Sequence, residues 1–382
     1  MSSSRGSDQT SLRFGVELEL VLRSKNKTHD SFDSIASELH QHLQNAGISN
    51  HIGDIAQKAH VTPNYDDWTI IQDSTLPSKP DKNLFGIELV SPIFHFPQMS
   101  LWLPNLHTLW HVLTTHFSVH PTPECSTHVH ISPSPSPSSH SSSNNAADKP
   151  TWTLPSTKSL AKSTIHFERA LDALVPGHRR TNPYCMSNRR NAAYATLSQS
   201  QIFADIDAAK TLEELGERMC SCSRESVHAK NLMMMGDEGE EGEGFEHPHF
   251  KWNFTRLTEG TKTVEFRLPP ASRGVRDTVA WVVFTVMFAQ WAVERGGVVL
   301  EADAKGGKVG ELGELKRVVV NGARGSGVAR EVVGWVEGLF EGVRALPAVR
   351  VDLKGVGEGE VDKEAGRMGM EVGRWRELFG YE

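Results

Sequence analysis

The chain has 382 residues, 38% of them hydrophobic with 9 Trp and 16 Phe, enough to bury a core in one large domain or two ordinary ones. A formal net charge of -7 provides no basic field to draw it to nucleic acid or an anionic membrane. Four cysteines do not make a disulfide framework, and "MSSSRGSDQTSLRFG" lacks the apolar run of a secretory signal, so a reduced, cytoplasmic protein is expected.

Residues 1–11 read as a disordered start. In "RFGVELELVL", Phe14, Val16, Leu18, Leu20 and Leu22 alternate with Arg13, Gly15, Glu17 and Glu19. Successive strand side chains point to opposite faces, so both carboxylates leave one side of a strand. "SFDSIASELHQHLQNAG" spaces Phe32, Ile35, Ala36, Leu39 and Leu43 as a helix, with Gly47 as its C-cap. "WTIIQD" and "FGIELVS" predict strands, "LWLPNLHTLWHVLTTHF" a helix and "THVHIS" a strand.

Ser132–Pro150 is a low-complexity insertion too polar to build a core, and Gly236–Glu246 is an acidic, glycine-rich one. Helical periodicity resumes in "SLAKSTIHFERALDALVP". "TVEFRLPP" predicts a strand, and Val275–Arg295 a buried helix whose apolar run is too short to span a bilayer. After residue 300 the pattern predicts two or three amphipathic helices, notably in "VAREVVGWVEGLFEGVRAL". One-face alternation in the strands favours an antiparallel sheet in an α+β fold.

The strands repeat one theme. Glu88 lies opposite Phe85, Ile87 and Leu89; His128 and His130 lie opposite Val129 and Ile131; Glu265 and Arg267 lie opposite Val264, Phe266 and Leu268. Asp73 stands just past a further strand. A wet sheet face carries mixed polar residues, because like charges in neighbouring positions destabilise it. Clustered carboxylates call for cations, and oxygen ligands with an imidazole suit Mg²⁺ or Mn²⁺, which fits nucleotide phosphate chemistry.

In this order, "FGVELEL", "WTIIQDSTL", "GIELVSP", "CSTHVHIS", "RRTNPYC" and "TVEFRLPP" make the chain resemble the amidoligase family, carboxylate–amine ligases of the glutamine synthetase fold. The resemblance spans roughly residues 12 to 295. It implies a curved antiparallel sheet with helices on its convex face and a funnel for ATP and divalent metals on its concave face; with the helical pattern after residue 300, this divides the chain into a catalytic domain over 12–299 and a helical extension over 300–382. It further implies that Glu17, His128 and Glu265 hold the metal between ATP phosphates, and that Glu19 and Glu88 hold one nearer the substrate carboxylate. Arg267 would meet the transferring phosphoryl group, and Arg179, Arg180 and Tyr184, with His130, would contact the nucleotide or substrate. The implied reaction makes an amide from a carboxylate and an amine, such as an amino acid or peptide, through an acyl phosphate, with Asp73 or a spare glutamate taking the amine's proton. The chain departs from the family pattern where it has Ser126-Thr127 before "HVH" in place of glycine, and in "LPPASRG" after "EFR".

Other signals have ordinary readings. His107 and His111 have metal-binding helical spacing but no third ligand, so helix-surface positions are favoured. Cys220, Cys222 and His228 make only half a zinc site. "VVVNGARGSGVAREVV" lacks the endings of a phosphate loop and reads as a linker. Met233–Met235 read as packing filler, and Arg189 and Arg190 suit either an anion site or a solvated turn. Two further functions compete with the ligase: a metal-dependent hydrolase using the "HVH" pair, and an inactive nucleotide-binding relative.

Overall fold

The computed structural model describes residues 11–53, 65–134, 152–223, 244–258, 262–296, 300 and 308–346. The fold grows from β1 (Leu12–Ser24), in which Leu12, Phe14, Val16, Leu18, Leu20 and Leu22 are each at most 1% exposed. Burying a leucine this completely contributes about 1.5–3 kcal/mol, so one long strand anchors much of the core. α1 (Phe32–Asn45) starts where the Ser31 hydroxyl accepts from Ser34 N and buries Ile35, Ala36, Leu39 and Leu43. Its C-cap is Ala46 rather than the expected Gly47, which comes next at a φ of 80° that favours glycine.

The next elements are β2 (Asn50–Ile52), β3 (Trp68–Gln72), β4 (Phe85–Val90), β5 (Phe94–His95), α2 (Met99–His116), β6 (Phe117–His120) and β7 (Thr127–Pro133). Then come α3 (Leu154–Ala173), the single turn α4 (Gly177–Arg180), α5 (Gln199–Ala208), α6 (Leu212–Met219), β8 (Ser221–Ser223) and β9 (Gly244–Glu246). The chain continues through β10 (Trp252–Asn253), β11 (Val264–Phe266), α7 (Val275–Trp291), α8 (Leu312–Gly325) and α9 (Arg330–Gly338).

Strands run in the order β10-β11-β7-β1-β4-β3-β2, with β5 and β6 pairing the two ends of β1. Every pair is antiparallel except β2–β3, which is parallel, so the sheet is open and mixed rather than antiparallel throughout. Alternation reports which face a residue occupies and is silent on strand direction. The three residues of β2 are also too few to show it.

Ile35 of α1, Leu106 of α2, Leu160 of α3 and Val283 of α7 join the apolar face of β1 in one core. In α7, Thr278 through Gln290 are all buried, which explains why its sequence is apolar all round. α8 and α9 pack on α7 through Leu315, Val319, Val332 and Val336, within that same core. The glycine-bearing segment between residues 318 and 333 is the end of one helix, a turn at Gly327 and the start of a second helix, so only residues 326–329 act as the expected linker.

The ends of both expected insertions are ordered pairing strands: β7 runs to Pro133, and 244–246 form β9. Residues 135–150 and 236–243, with residues 1–10, His228, Met233–Met235 and 347–382, lie outside the described residues. With helices covering the apolar side, the other face of the sheet keeps the charged side chains.

Candidate active site

Register assembles the site in rows across the strands. On the first, Asn253 of β10 pairs Glu265 of β11, which pairs His130 of β7, which pairs Gly15 of β1. On the second, His128 pairs Glu17, and continuing β11 by one residue brings Arg267 beside them. On the third, Glu19 pairs Glu88 of β4 and its backbone N–H donates to Ser126 O at 3.0 Å. Rows lie about 6.6 Å apart, two residues of strand rise, and side chains from neighbouring strands meet directly.

The contacts converge on the two imidazoles. His130 Nε2 lies 3.0 Å from Glu17 Oε1 and 3.6 Å from Glu265 Oε1. His128 Nδ1 lies 3.1 Å from Glu17 Oε2 and 3.3 Å from Glu265 Oε1, and its Nε2 lies 3.5 Å from Glu19 Oε1. Arg267 donates to Glu265 through Nη1 and to the Tyr184 carbonyl through Nε, while Asn253 Nδ2 donates to Glu265 Oε2 at 2.9 Å. Ser126 Oγ donates to Glu19 and lies 2.7 Å from His128 Nε2.

Electrostatics follow from this crowding. Burial alone would raise the Glu17 carboxyl, but the His130 and His128 imidazoles hold it well below the ordinary range. Burial is likewise outweighed at Glu265, which Arg267 and His130 keep low, and at His130, which Glu17 and Glu265 push up against its desolvation. Glu265 keeps the Arg267 guanidinium firmly charged despite burial.

Glu17, His130 and Glu265 each offer a ligand atom, and the three lie within 4.8 Å of one another. His130 Nε2 faces Glu17 Oε1 at 3.0 Å, while its Nδ1 is 3.3 Å from Thr263 Oγ1. An imidazole anchored at one nitrogen with the other turned toward two carboxylates fits a divalent cation. Gly15 leaves the floor beside them open, since a Cβ there would come no nearer than 3.7 Å to Ser91 Oγ. A pocket opens over this floor, lined by Gly15, Glu17, His130, Tyr65, Arg256 and Thr263.

Other sequence-derived residues stand apart from the cluster. Asp73 follows β3, two strands from β1, and its Oδ1 accepts from both the backbone and hydroxyl of Thr75, stabilising a turn. Arg179 is buried and directs Nε and Nη2 at the carbonyls of Leu268 and Arg267, so it braces the strand that carries Arg267. Arg180 donates to the carbonyls of Asp172 and Val175. Tyr184 is 42% exposed, its ring edge-on to His249. Arg189 donates to the Tyr194 and Leu197 carbonyls, His107 and His111 are exposed on α2, and Cys220 and Cys222 are buried.

Sequence reasoning missed Ser126 as a side chain of the cluster, and Asn253, Tyr65 and Arg256. Only Asn253 had a readable signal, since "KWNF" alternates like the other strands. The two departures from the family pattern touch each other: Ser126 bridges Pro270, and Thr127 Oγ1 is 2.8 Å from Ser272 Oγ and accepts from Ser272 N.

An open mixed sheet backed by helices, with a carboxylate–imidazole cluster on its free face, defines an α+β protein with a sheet-borne acidic pocket. Residues 10–289 match the family described as "Putative amidoligase enzyme", and the chain belongs to this amidoligase family. Among solved structures it is similar to a bifunctional glutathione synthetase from Pasteurella multocida, at 12% identity and a TM-score of 0.33, over 98% of this chain and 51% of that one. The chain thus spans about half the length of that enzyme. It is also similar to a structure described as "Apo GmaS without ligand", at 10% identity and a TM-score of 0.29, over 91% of this chain and 72% of that one. A comparison with curated proteins finds no match. Among the described residues, no helix is long and apolar enough to cross a membrane.

Proposed function

We propose that the chain is an ATP-dependent ligase, requiring Mg²⁺ or Mn²⁺, that joins a carboxylate to an amine through an acyl phosphate. The observation that carries this reading is the group Glu17, His130 and Glu265, in which one imidazole nitrogen lies 3.0 Å from one carboxylate and 3.6 Å from the other in an amidoligase-family chain. A carboxylate is a poor electrophile, and moving a phosphoryl group onto it brings anions together. Divalent ions bound at this face would neutralise phosphate oxygens and stabilise the transferring group.

In this reading Glu17 and Glu265, with His130 and His128, hold the nucleotide-side ion, and Glu19 and Glu88 hold the substrate-side ion. Arg267 directs fixed positive charge at the same face, with Glu265 and the Tyr184 carbonyl setting its direction. Arg256, exposed and without an ion-pair partner among the described residues, supplies a cationic rim beside Tyr65 for an anionic substrate. Tyr184 is the member of its segment best exposed to a ligand, since Arg179 and Arg180 are turned to backbone carbonyls. A carboxylate of the cluster face is the better acceptor for the amine's proton, because Asp73 is committed to Thr75.

The test is phosphate release from ATP across a panel of amino acids and amines, with Mg²⁺ or Mn²⁺. Release is expected only when acid and amine are both present, and Glu17→Gln should abolish it. A Glu17→Gln protein with full activity would end the assignment.

A further inference from the structure

Ser126 has one proton to give and two neighbours waiting for it. Its hydroxyl, 2% exposed as a residue, donates to Glu19 Oε2 and sits 2.7 Å from His128 Nε2. A hydroxyl donates once and accepts with its lone pairs, whereas a carboxylate only accepts. With the serine proton committed to Glu19, the bond to His128 forms only if Nε2 carries the hydrogen and donates to Ser126 Oγ.

The consequence falls on the other side of the ring. In a neutral imidazole one nitrogen donates and the other accepts. Nε2–H therefore leaves a lone pair on Nδ1, facing Glu17 Oε2 at 3.1 Å and Glu265 Oε1 at 3.3 Å. Electron pairs aimed at one another this closely repel unless something positive lies between them, either a second ring proton donated to Glu17 or a cation. Ligands about 2.1 Å from an octahedral ion lie about 3 Å apart, close to these separations. The competing tautomer, Nδ1–H donating to Glu17, would withdraw that lone pair from an ion.

The backbone that carries Ser126 is held in place. Its carbonyl accepts from Glu19 N at 3.0 Å, it bridges Pro270, and the next residue is tied through its hydroxyl to Ser272.

We infer that Ser126 is a positioning residue: its hydroxyl fixes the Nε2–H tautomer of His128, turning Nδ1 into a ligand for the divalent ion held by Glu17 and Glu265. The inference rests on the cation-pocket reading proposed above, which counts His128 among the ligands, and says what gives its Nδ1 a lone pair for the ion. It also joins Glu19, on the neighbouring row, to the same hydrogen-bonded chain. The arrangement matches the general practice of metal-binding histidines, whose outer nitrogen donates to a fixed acceptor that sets the tautomer.

The experiment uses the full chain with ¹⁵N-labelled histidine and saturating Mg²⁺. Long-range ¹H–¹⁵N spectra report the tautomer, and His128 is assigned by the signal lost in His128→Gln. The wild type should show His128 as Nε2–H. Ser126→Ala should give a mixture and weaken Mn²⁺ binding, read by electron paramagnetic resonance, by about 10–100-fold. Ser126→Thr, which keeps the hydroxyl, should recover most of the affinity, separating positioning from general loss of structure.

An Nδ1–H signal in the Mg²⁺-loaded wild type overturns the inference. So does a Ser126→Ala protein that binds Mn²⁺ like the wild type while Glu17→Gln does not bind it. If Glu17→Gln also binds normally, the cation pocket itself is refuted and the inference falls with it.

Discussion

Behind Arg267 lies a buried charge cluster whose removal should have a calculable cost. The Lys251 ammonium is held by Glu168 at 3.3 Å and Asp172 at 2.7 Å, and only 2% of the lysine side chain is exposed. Two acids share one cation. Burial, with the neighbouring Glu168 charge, outweighs Lys251 and raises the Asp172 carboxyl to about 6, while both acids drive the lysine up despite its burial.

Lys251→Met leaves these carboxylates without their counter-charge, which costs about 3–5 kcal/mol when one partner of a buried pair is removed. The cost should depend on pH. Above about pH 6 wild-type Asp172 has released its proton, whereas in the mutant it retains it. The mutant's folded state then binds one more proton than its own unfolded state, whereas the wild type's two states bind equal numbers, so the deficit grows by about 1.4 kcal/mol per pH unit. The deficit stops growing once the mutant carboxyl titrates. Urea unfolding followed by tryptophan fluorescence at two pH values, one below and one above the Asp172 transition, measures both quantities. A deficit under about 1 kcal/mol, within the range of unremarkable substitutions, or one that does not change with pH, would refute the reasoning.

Glu17→Gln and Glu265→Gln should each weaken Mn²⁺ binding by at least about 100-fold, because each removes a charge beside the ion; titration calorimetry on the folded variants checks this. Arg267→Lys should lower turnover by about 10²–10³-fold, since one ammonium cannot reproduce a guanidinium fixed by both Glu265 and the Tyr184 carbonyl; steady-state phosphate release reads it. Glu17 and Glu265 titrate below their ordinary 4.5, so their stabilisation is complete above that value and lost as pH falls through the folded-state values. The Glu17→Gln/Glu265→Gln protein should therefore show a flatter acid limb in its stability profile. Leu18→Ala should cost about 2–5 kcal/mol, as it hollows the core under the cluster strand, and thermal unfolding with ligand absent will show it.

Much of the face assignment was legible because strand periodicity is local. Reading every second residue put Glu17, Glu19, Glu88, His128, His130, Glu265 and Arg267 opposite the core, and the structure places all of them on the sheet's free face. Arg179 and Arg180 show the limit. A motif identifies a basic residue, but whether its guanidinium meets a ligand or a carbonyl depends on the distant backbone, here that of Arg267 and Leu268 for Arg179. The parallel β2–β3 pair escaped for a related reason, since direction is a property of the connection and not of the pattern.

The sequence by itself determined the alternation, the apolar helix over Val275–Trp291 and the chemical types available to the site, because these depend on near neighbours along the chain. Only the tertiary structure decided which of them meet. Register between strands far apart in sequence set His128 against Glu17 and His130 against Glu265, and brought Ser126 between Glu19 and His128. Those pairings arise when the whole apolar face is buried at once, since a slip of one residue would turn every carboxylate into the core.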